Sequence, residues 1–452
     1  MNAKAYRAAF FHMLDDPAAA GSAESHQYLE DGVILVRDGI IEEAGAWAEW
    51  QDRLPRDIEV ISFPGGLIVP GFVDTHIHYP QTDIIAAHGK GLLDWLDTYA
   101  YPAELQFDDR PTAEETARFF MDELLRNGTT SALVFCTVHK LSAEALFKEA
   151  ATRNMRVIAG KVLMDRNGPE ALRQPPEAGC EESAGLIRAW HGRGRLGYAL
   201  TPRFAPACTS RLLDLAGRLL KEHPGVYLHT HLSEDRHEAN VVKELFPEAG
   251  GYLDVYARHG LLTNRSVFAH CIHLNDSEFA ALGRAGASIA FCPTSNLFLG
   301  SGLFDLHSAQ QHGVATGLGT DVGAGTSFSL FDTMNEAYKV CRLRGHAPDA
   351  MGLFYLATLG GARALKLEDR IGNLQPGKEA DFLVLDPAAT PLVKRRLAAC
   401  RTFAEKLFIL SMLGDDRLIR RTYVAGALAH ERDSTGTKPT PRRPRPPSKS
   451  TY

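Results

Sequence analysis

From about residue 67 the chain alternates short β-branched, apolar runs with longer stretches whose apolar positions recur at helical spacing. Candidate strands fall at 67–78, 130–137, 156–164, 195–204, 226–234, 266–273, 288–293 and 314–322. Between them, 113–126, 143–153, 211–222, 277–284 and 329–342 read as amphipathic helices, often with Gly or Asn at their ends. Eight strand-then-helix units predict an α/β fold, a (β/α)8 TIM-like barrel over 67–370. A doubly wound open sheet seldom needs so many.

The flanking pieces have a different rhythm. Residues 1–66 and 371–430 read as short strands and tight turns, exemplified by Gly32-Val33-Ile34-Leu35-Val36 and Asp381-Phe382-Leu383-Val384-Leu385. They are expected to pair into one small β-sandwich domain built from both chain ends. After Asp433 the composition changes to Lys, Arg, Pro, Ser and Thr. A segment of that kind buries too little apolar area to offset its ordering entropy, so 434–452 is expected to be a disordered, basic, Pro-rich tail.

Composition narrows the setting. With 452 residues, 45% apolar and 23% charged, the chain has the balance of a soluble globular protein. Its net charge of −6 speaks against a body built to bind nucleic acid. No apolar run approaches the ~20 residues that cross a bilayer, and the start Met1-Asn2-Ala3-Lys4 lacks a secretory apolar region, so no membrane association and a cytoplasmic location are expected. The seven cysteines are scattered with no CxxC pair, which argues against both a disulfide framework and a thiolate zinc site. Any metal should therefore be held by histidine and carboxylate.

Candidate ligands sit where the predicted strands end. In Gly71-Phe72-Val73-Asp74-Thr75-His76-Ile77-His78-Tyr79, two histidines two residues apart point to one face of a strand and can grip one ion together. Alone the pair is ambiguous, because histidines at a strand end also bond to water or backbone. The fifth strand, however, ends His229-Thr230-His231-Leu232-Ser233-Glu234, the sixth carries His270, and the eighth ends Thr320-Asp321. In a barrel these ends share one rim. His76, His78 and His231 would supply neutral nitrogens and Asp321 an anionic oxygen, leaving a position for water as catalytic zinc sites do. Glu234 is the candidate general acid and base beside that water. His270 could ligate, polarise the nucleophile or fill space; hydrogen bonding to the water is the favoured role. His229 lies deeper and is read as structural, while His88 and His273 have no assigned partner. Lys161 raises the question of a carboxylated lysine bridging two metals, but nothing else calls for a second ion, so one Zn2+ is expected. The GxGxxG match Gly192-Arg193-Gly194-Arg195-Leu196-Gly197 follows a helical segment instead of a strand, which argues against dinucleotide binding. The PCxxC signature of the deaminases that act on bases in nucleic acid is absent.

These residues resemble the amidohydrolase superfamily: Pro70 to His78, then His231, His270 and Asp321, and Gly372-Asn373-Leu374-Gln375-Pro376-Gly377-Lys378-Glu379-Ala380-Asp381 returning to the small domain. Within it the chain is similar to the guanine-deaminating branch through His78-Tyr79-Pro80-Gln81, Trp95-Leu96-Asp97-Thr98-Tyr99, Pro102-Ala103-Glu104, Gly160-Lys161-Val162-Leu163-Met164-Asp165 and Thr201-Pro202-Arg203-Phe204-Ala205-Pro206. That resemblance implies hydrolysis of guanine to xanthine and ammonia, one Zn2+ per subunit, a small-molecule purine substrate and a homodimer. It places Gln81 and Arg203 on polar edges of the purine and Phe204 over its ring, with His231, Glu234 and Asp321 also at the substrate. Asp321 would assist as a second base. The chemistry is compatible, since an amide and a guanidinium supply an acceptor and donors and an aromatic face stacks on a base. The rival enzymes are relatives deaminating an oxidised guanine, a triazine or an adenine derivative. A rival of another class is an inactive barrel used as a binding scaffold, which would have no need of four metal ligands together with Glu234.

Overall fold

The computed structural model describes residues 3–21 and 24–432. The tail expected at 434–452 lies outside the described residues. Four strands come first: β1 (Ala3–Met13), β2 (His26–Arg37), β3 (Ile40–Ala46) and β4 (Glu59–Pro70). Nine follow: β5 (Phe72–His78), β6 (Thr129–Phe135), β7 (Arg156–Gly160), β8 (Val162–Leu163), β9 (Gly197–Pro202), β10 (Tyr227–Leu232), β11 (Ser266–His270), β12 (Ser288–Phe291) and β13 (Ala315–Leu318). The last three are β14 (Phe382–Leu385), β15 (Ile419–Val424) and β16 (Ala427–Glu431).

The barrel order is β5-β6-β7-β9-β10-β11-β12-β13, all parallel neighbours, with β8 pairing β9 beside the path. Between β13 and β5 the ring is drawn together by two bonds. Thr75 Oγ1 donates to the Leu318 carbonyl at 2.9 Å, and the Asp321 amide donates to the His76 carbonyl at 2.9 Å. Val73, Leu133, Ile158, Ala199, Val267 and Ala290 belong to one buried cluster, so the strands are locked by packing that leaves their C-terminal ends free for chemistry.

The chain ends build one seven-stranded sheet, β16-β15-β14-β4-β1-β2-β3. Its core joins Tyr6 and Phe10 of β1, Ile34 of β2, Ile68 of β4, Phe382 of β14 and Tyr423 of β15. It is a single hydrogen-bonded path, which the expected sandwich left open.

Two expectations need revision in detail. The apolar run 67–78 is not one strand: 67–70 end β4 in the small sheet, and β5 begins at Phe72. Gly71 is the junction, and a Cβ there would stand 2.1 Å from Thr130 Oγ1, so only glycine passes between the two units. The second terminal piece also holds two helices, Pro391–Ala398 and Phe403–Leu413, in place of strands and turns throughout. The latter starts with a capping box between Thr402 and Glu405, and its Phe403 ring stacks on Tyr28 with centroids 3.7 Å apart.

Buried ion pairs fasten the two units. Arg195 reaches Glu379 and Asp381, and Arg156 reaches Glu379, joining the bottom of the barrel to the segment that enters β14. No helix of the described residues is long and apolar enough to cross a membrane.

Candidate metal centre and active site

Strand β5 ends in His76 and His78, β10 carries His231, and Asp321 follows β13. Their side chains converge. His76 Nε2 lies 3.2 Å from His78 Nε2 and 3.2 Å from Asp321 Oδ1; His78 Nε2 lies 3.2 Å from His231 Nε2 and 3.4 Å from Asp321 Oδ1. Ligands ~2.1 Å from one ion at tetrahedral angles stand about 3.4 Å apart, so these edges match a single small cation.

The tautomers support the same fit. His231 Nδ1 is 2.6 Å from the Arg203 carbonyl oxygen, which can only accept, so the His231 proton is on Nδ1 and Nε2 keeps its lone pair. His76 Nδ1 is turned onto His229 Nε2 at 2.7 Å, leaving His76 Nε2 toward the cluster. Burial pushes His78, His229 and His231 well below the usual imidazole range, with neighbouring His76 adding to it. Neutral nitrogen lone pairs crowded at 3.2 Å repel one another, and a shared cation relieves that repulsion. His229 thus sits beneath the cluster, orienting His76.

The backbone is bent to make this rim. Ser233 (φ 53°), His270 (φ 70°), Cys271 (φ 52°) and Asp321 (φ 52°) are all left-handed without being glycine. Four such residues at the ends of β10, β11 and β13 mark a place where side-chain direction outweighs local backbone preference. Asp74, wholly buried, braces it by accepting from the His76 and Thr320 amides at 3.1 Å each.

Glu234 lies just beyond β10, and His270 Nε2 is 3.3 Å from its Oε2 and 3.8 Å from Asp321 Oδ2. Burial, then the charge of Asp321, raises the Glu234 carboxyl well above the ordinary range. Burial pushes Asp321 up too, but the charge and hydrogen bond of His76, with His270 and Ser295, together outweigh it and hold that carboxyl low. The two acids are therefore pushed apart, which suits one to anchor and the other to exchange protons. His270 is pushed down to about 4 by burial against the opposing pull of Asp321, and its Nδ1 is held by Asn296 Oδ1 at 2.8 Å.

The mouth is lined by Gln81, Leu92, Trp95, Leu96, Arg203, Phe204 and Ala324 above His78, His231, Glu234, His270 and Asp321. Every site residue expected from the sequence lies at this one cavity or directly beneath it. Lys161 does not: its Nζ turns to Glu182 at 3.2 Å and to Gln174, away from the histidines. Cys292 Sγ is close to His76 and Asp321, within 4.8 Å, but burial raises its thiol well above the ordinary range, so it is a neutral neighbour.

Three residues received no role in the sequence reading. Glu104 takes Gln81 Nε2 at 2.9 Å and Arg203 Nη1 at 2.7 Å on its two oxygens. Asn296 orients His270. Glu238 accepts from the Glu234 amide at 3.1 Å and the Asp235 amide at 3.2 Å, pinning the turn that carries the acid. Glu104 had a signal in the Pro102-Ala103-Glu104 motif and Glu238 in the Asp-x-x-Glu capping box from Asp235, while Asn296 had none.

Comparison with known proteins was consistent with this geometry. Residues 67–428 match the Amidohydrolase family. A guanine deaminase of Escherichia coli (strain K12) is 50% identical over 433 residues, covering 95% of this chain and 98% of that protein. Among solved structures, E. coli guanine deaminase superposes with a TM-score of 0.92 at 48% identity, covering 96% of this chain and all of that one. Guanine deaminase from C. acetobutylicum, solved with guanine in its active site, gives a TM-score of 0.85 at 28% identity, covering 94% of this chain and 100% of its own.

Proposed function

The chain belongs to the amidohydrolase family, and on that premise we propose that it hydrolyses guanine to xanthine and ammonia, using one Zn2+ per subunit. The observation that carries this reading is the meeting, in one cavity, of a four-atom ligand cluster, a carboxyl with a raised pKa and a buried polar edge of Gln81 and Arg203.

His76, His78, His231 and Asp321 would hold the metal, three imidazoles and one carboxylate being a set that suits zinc. When bound, it lowers the pKa of a water toward ~7 and so supplies a nucleophile at neutral pH. Glu234 takes one proton of the attacking water and delivers it to the ring nitrogen next to the carbon bearing the amine, then moves the second proton, that of the added hydroxyl, to the departing nitrogen as the C=O forms and the C–N bond breaks. His270, fixed by Asn296, offers its free Nε2 lone pair to hydrogen-bond that water, and Asp321 assists as a second base. Arg203 and the Gln81 carbonyl oxygen bind the far edge of the purine, and Phe204 covers its face. Trp95, Leu92 and Leu96 close the mouth, which limits water to what the reaction consumes.

A homodimer in the cytoplasm completes the reading, and the described cysteines, all free and nearly all buried, suit a reducing compartment. The test is a steady-state assay with guanine that follows xanthine, run beside metal analysis of the same preparation. Stoichiometric zinc with xanthine formation is expected. Ammonia release from another heterocycle in preference to guanine would point to the rival enzymes, and absence of both metal and turnover to a scaffold.

A further inference from the structure

Glu104 stands behind the mouth, against Gln81 and Arg203, 1% exposed, and both of its oxygens are committed. Oε1 accepts from Gln81 Nε2 at 2.9 Å, and Oε2 accepts from Arg203 Nη1 at 2.7 Å. The residue ends the short helix Tyr101–Glu104, and the Arg203 guanidinium lies over the Tyr101 ring, 5.0 Å from its centroid. One short segment therefore grips both polar residues of the purine edge. It touches neither the metal ligands nor Glu234.

The chemistry of that grip is one-way. A carboxylate paired with an arginine only accepts, so Gln81 must face it with its NH2 group. Turning the amide over would set two acceptors against each other. The Gln81 carbonyl oxygen is thus the atom left for a ligand, and Gly323 makes room for it: a Cβ at Gly323 would stand 2.1 Å from Gln81 Oε1. Arg203, with one amino group spent on Glu104 and its plane set against Tyr101, keeps its other N–H donors for a ligand. The edge offered is one fixed acceptor beside fixed donors.

We infer that Glu104 is a positioning residue that selects purines carrying a lactam edge, an N–H beside a C=O, by locking Gln81 as acceptor and Arg203 as donor. The inference rests on the guanine reading above and deepens it. Without Glu104 the Gln81 amide is free to present its NH2, and the arginine is free to leave the Tyr101 ring. Both changes weaken recognition of N–H beside C=O while leaving the apolar cover of the ring in place. A site that hydrogen-bonds its ligand discriminates strongly against one lacking those groups, because its own buried polar atoms are then left unpaired.

Binding titrations on the metal-loaded full chain separate this from a merely structural ion pair. Hypoxanthine has the lactam edge and no amine to lose; unsubstituted purine has the ring without the edge. Glu104→Gln is expected to weaken hypoxanthine at least ~10-fold and purine less than ~3-fold, with zinc content retained and guanine turnover lost through KM more than kcat. Equal weakening of the two ligands, or no weakening, overturns the inference. If Glu104→Gln does not fold, Glu104→Asp keeps the charge but is one methylene too short to reach both partners, and the same selective loss is required of it. Wild-type protein that fails to form xanthine from guanine refutes the underlying reading instead, and this inference with it.

Discussion

His231 Nδ1 is bonded at 2.6 Å to the carbonyl oxygen of Arg203, so the main chain of the residue proposed to bind the base orients an imidazole proposed to bind the metal. The same carbonyl is approached by the His231 amide at 3.4 Å. The end of β9 thus serves both halves of the proposed site, the Arg203 side chain lining the cavity and its backbone fixing an imidazole. Coupling through the backbone has a useful consequence, because a side-chain substitution at Arg203 leaves the ligand geometry untouched.

Arg203→Ala should therefore keep its zinc and lose guanine. Removing a buried charged donor to the ligand is expected to lower kcat/KM on the order of a hundredfold. It also strands the Glu104 carboxylate, and an uncompensated buried charge costs about 3–5 kcal/mol of stability. Steady-state kinetics, metal analysis and a melting curve on one preparation check all three parts. Unchanged guanine kinetics would remove Arg203 from the binding edge.

Glu234→Gln tests the proton path. The amide is nearly isosteric, the turn beneath it is held by Glu238 through backbone amides, and no metal ligand is altered. Zinc content and fold should survive while kcat falls by ~100-fold to ~10,000-fold, the usual worth of a positioned acid and base. Substantial turnover in this variant would mean that Asp321 or His270 carries the proton instead.

Much of this site is legible in the sequence because a barrel brings strand ends to one rim: residues as far apart as His76 and Asp321 need only be recognised as strand-terminal to be brought together. Where the reading failed, the missing information was tertiary. The run 67–78 has continuous apolar character across a break that depends on Thr130 crowding Gly71. Glu104 lies 23 residues from Gln81 and 99 from Arg203, and a carboxylate at the end of a four-residue helix carries no mark of which side chains it will meet. Asn296 follows β12 in a short helix, where an amide is as readily a cap or a surface group. Helix Phe403–Leu413 was missed although its capping box and apolar content were present, because the strands around it set the expectation.

Lys161→Met distinguishes a one-metal centre from a bridged pair. The ammonium is buried but points to Gln174 and Glu182, and burial lowers its pKa against the pull of Glu182. A carboxylated lysine holding two ions would have to face the histidine cluster. The variant is expected to retain one zinc per subunit and to keep turnover within ~3-fold, because the Lys161–Glu182 pair faces away from the ligand cluster and the Glu182 left behind reaches solvent. Loss of metal would require a second ion near β7.

His12 predicts how stability changes with acid. It lies on β1, 1% exposed, with Nε2 2.9 Å from Gln27 Oε1 and Nδ1 accepting from the Leu374 amide at 2.9 Å. Those two bonds require the neutral ring with its proton on Nε2; the first ties β1 to β2 and the second joins the small sheet to the segment that follows the barrel. Burial, opposed by the Gln27 bond, pushes its pKa down to about 4. In the unfolded chain an imidazole titrates near ~6.5, so between these values the unfolded state binds more protons than the folded one. Stability from this residue is full above pH ~6.5 and drains away as the pH falls toward 4, by up to about 3 kcal/mol. His12→Asn should be less stable than the parent at pH 7.5, and the difference should shrink steadily down to pH 4.5. Urea unfolding at a series of pH values measures it, and a difference that stays constant across the series would show that His12 does not titrate between the two states.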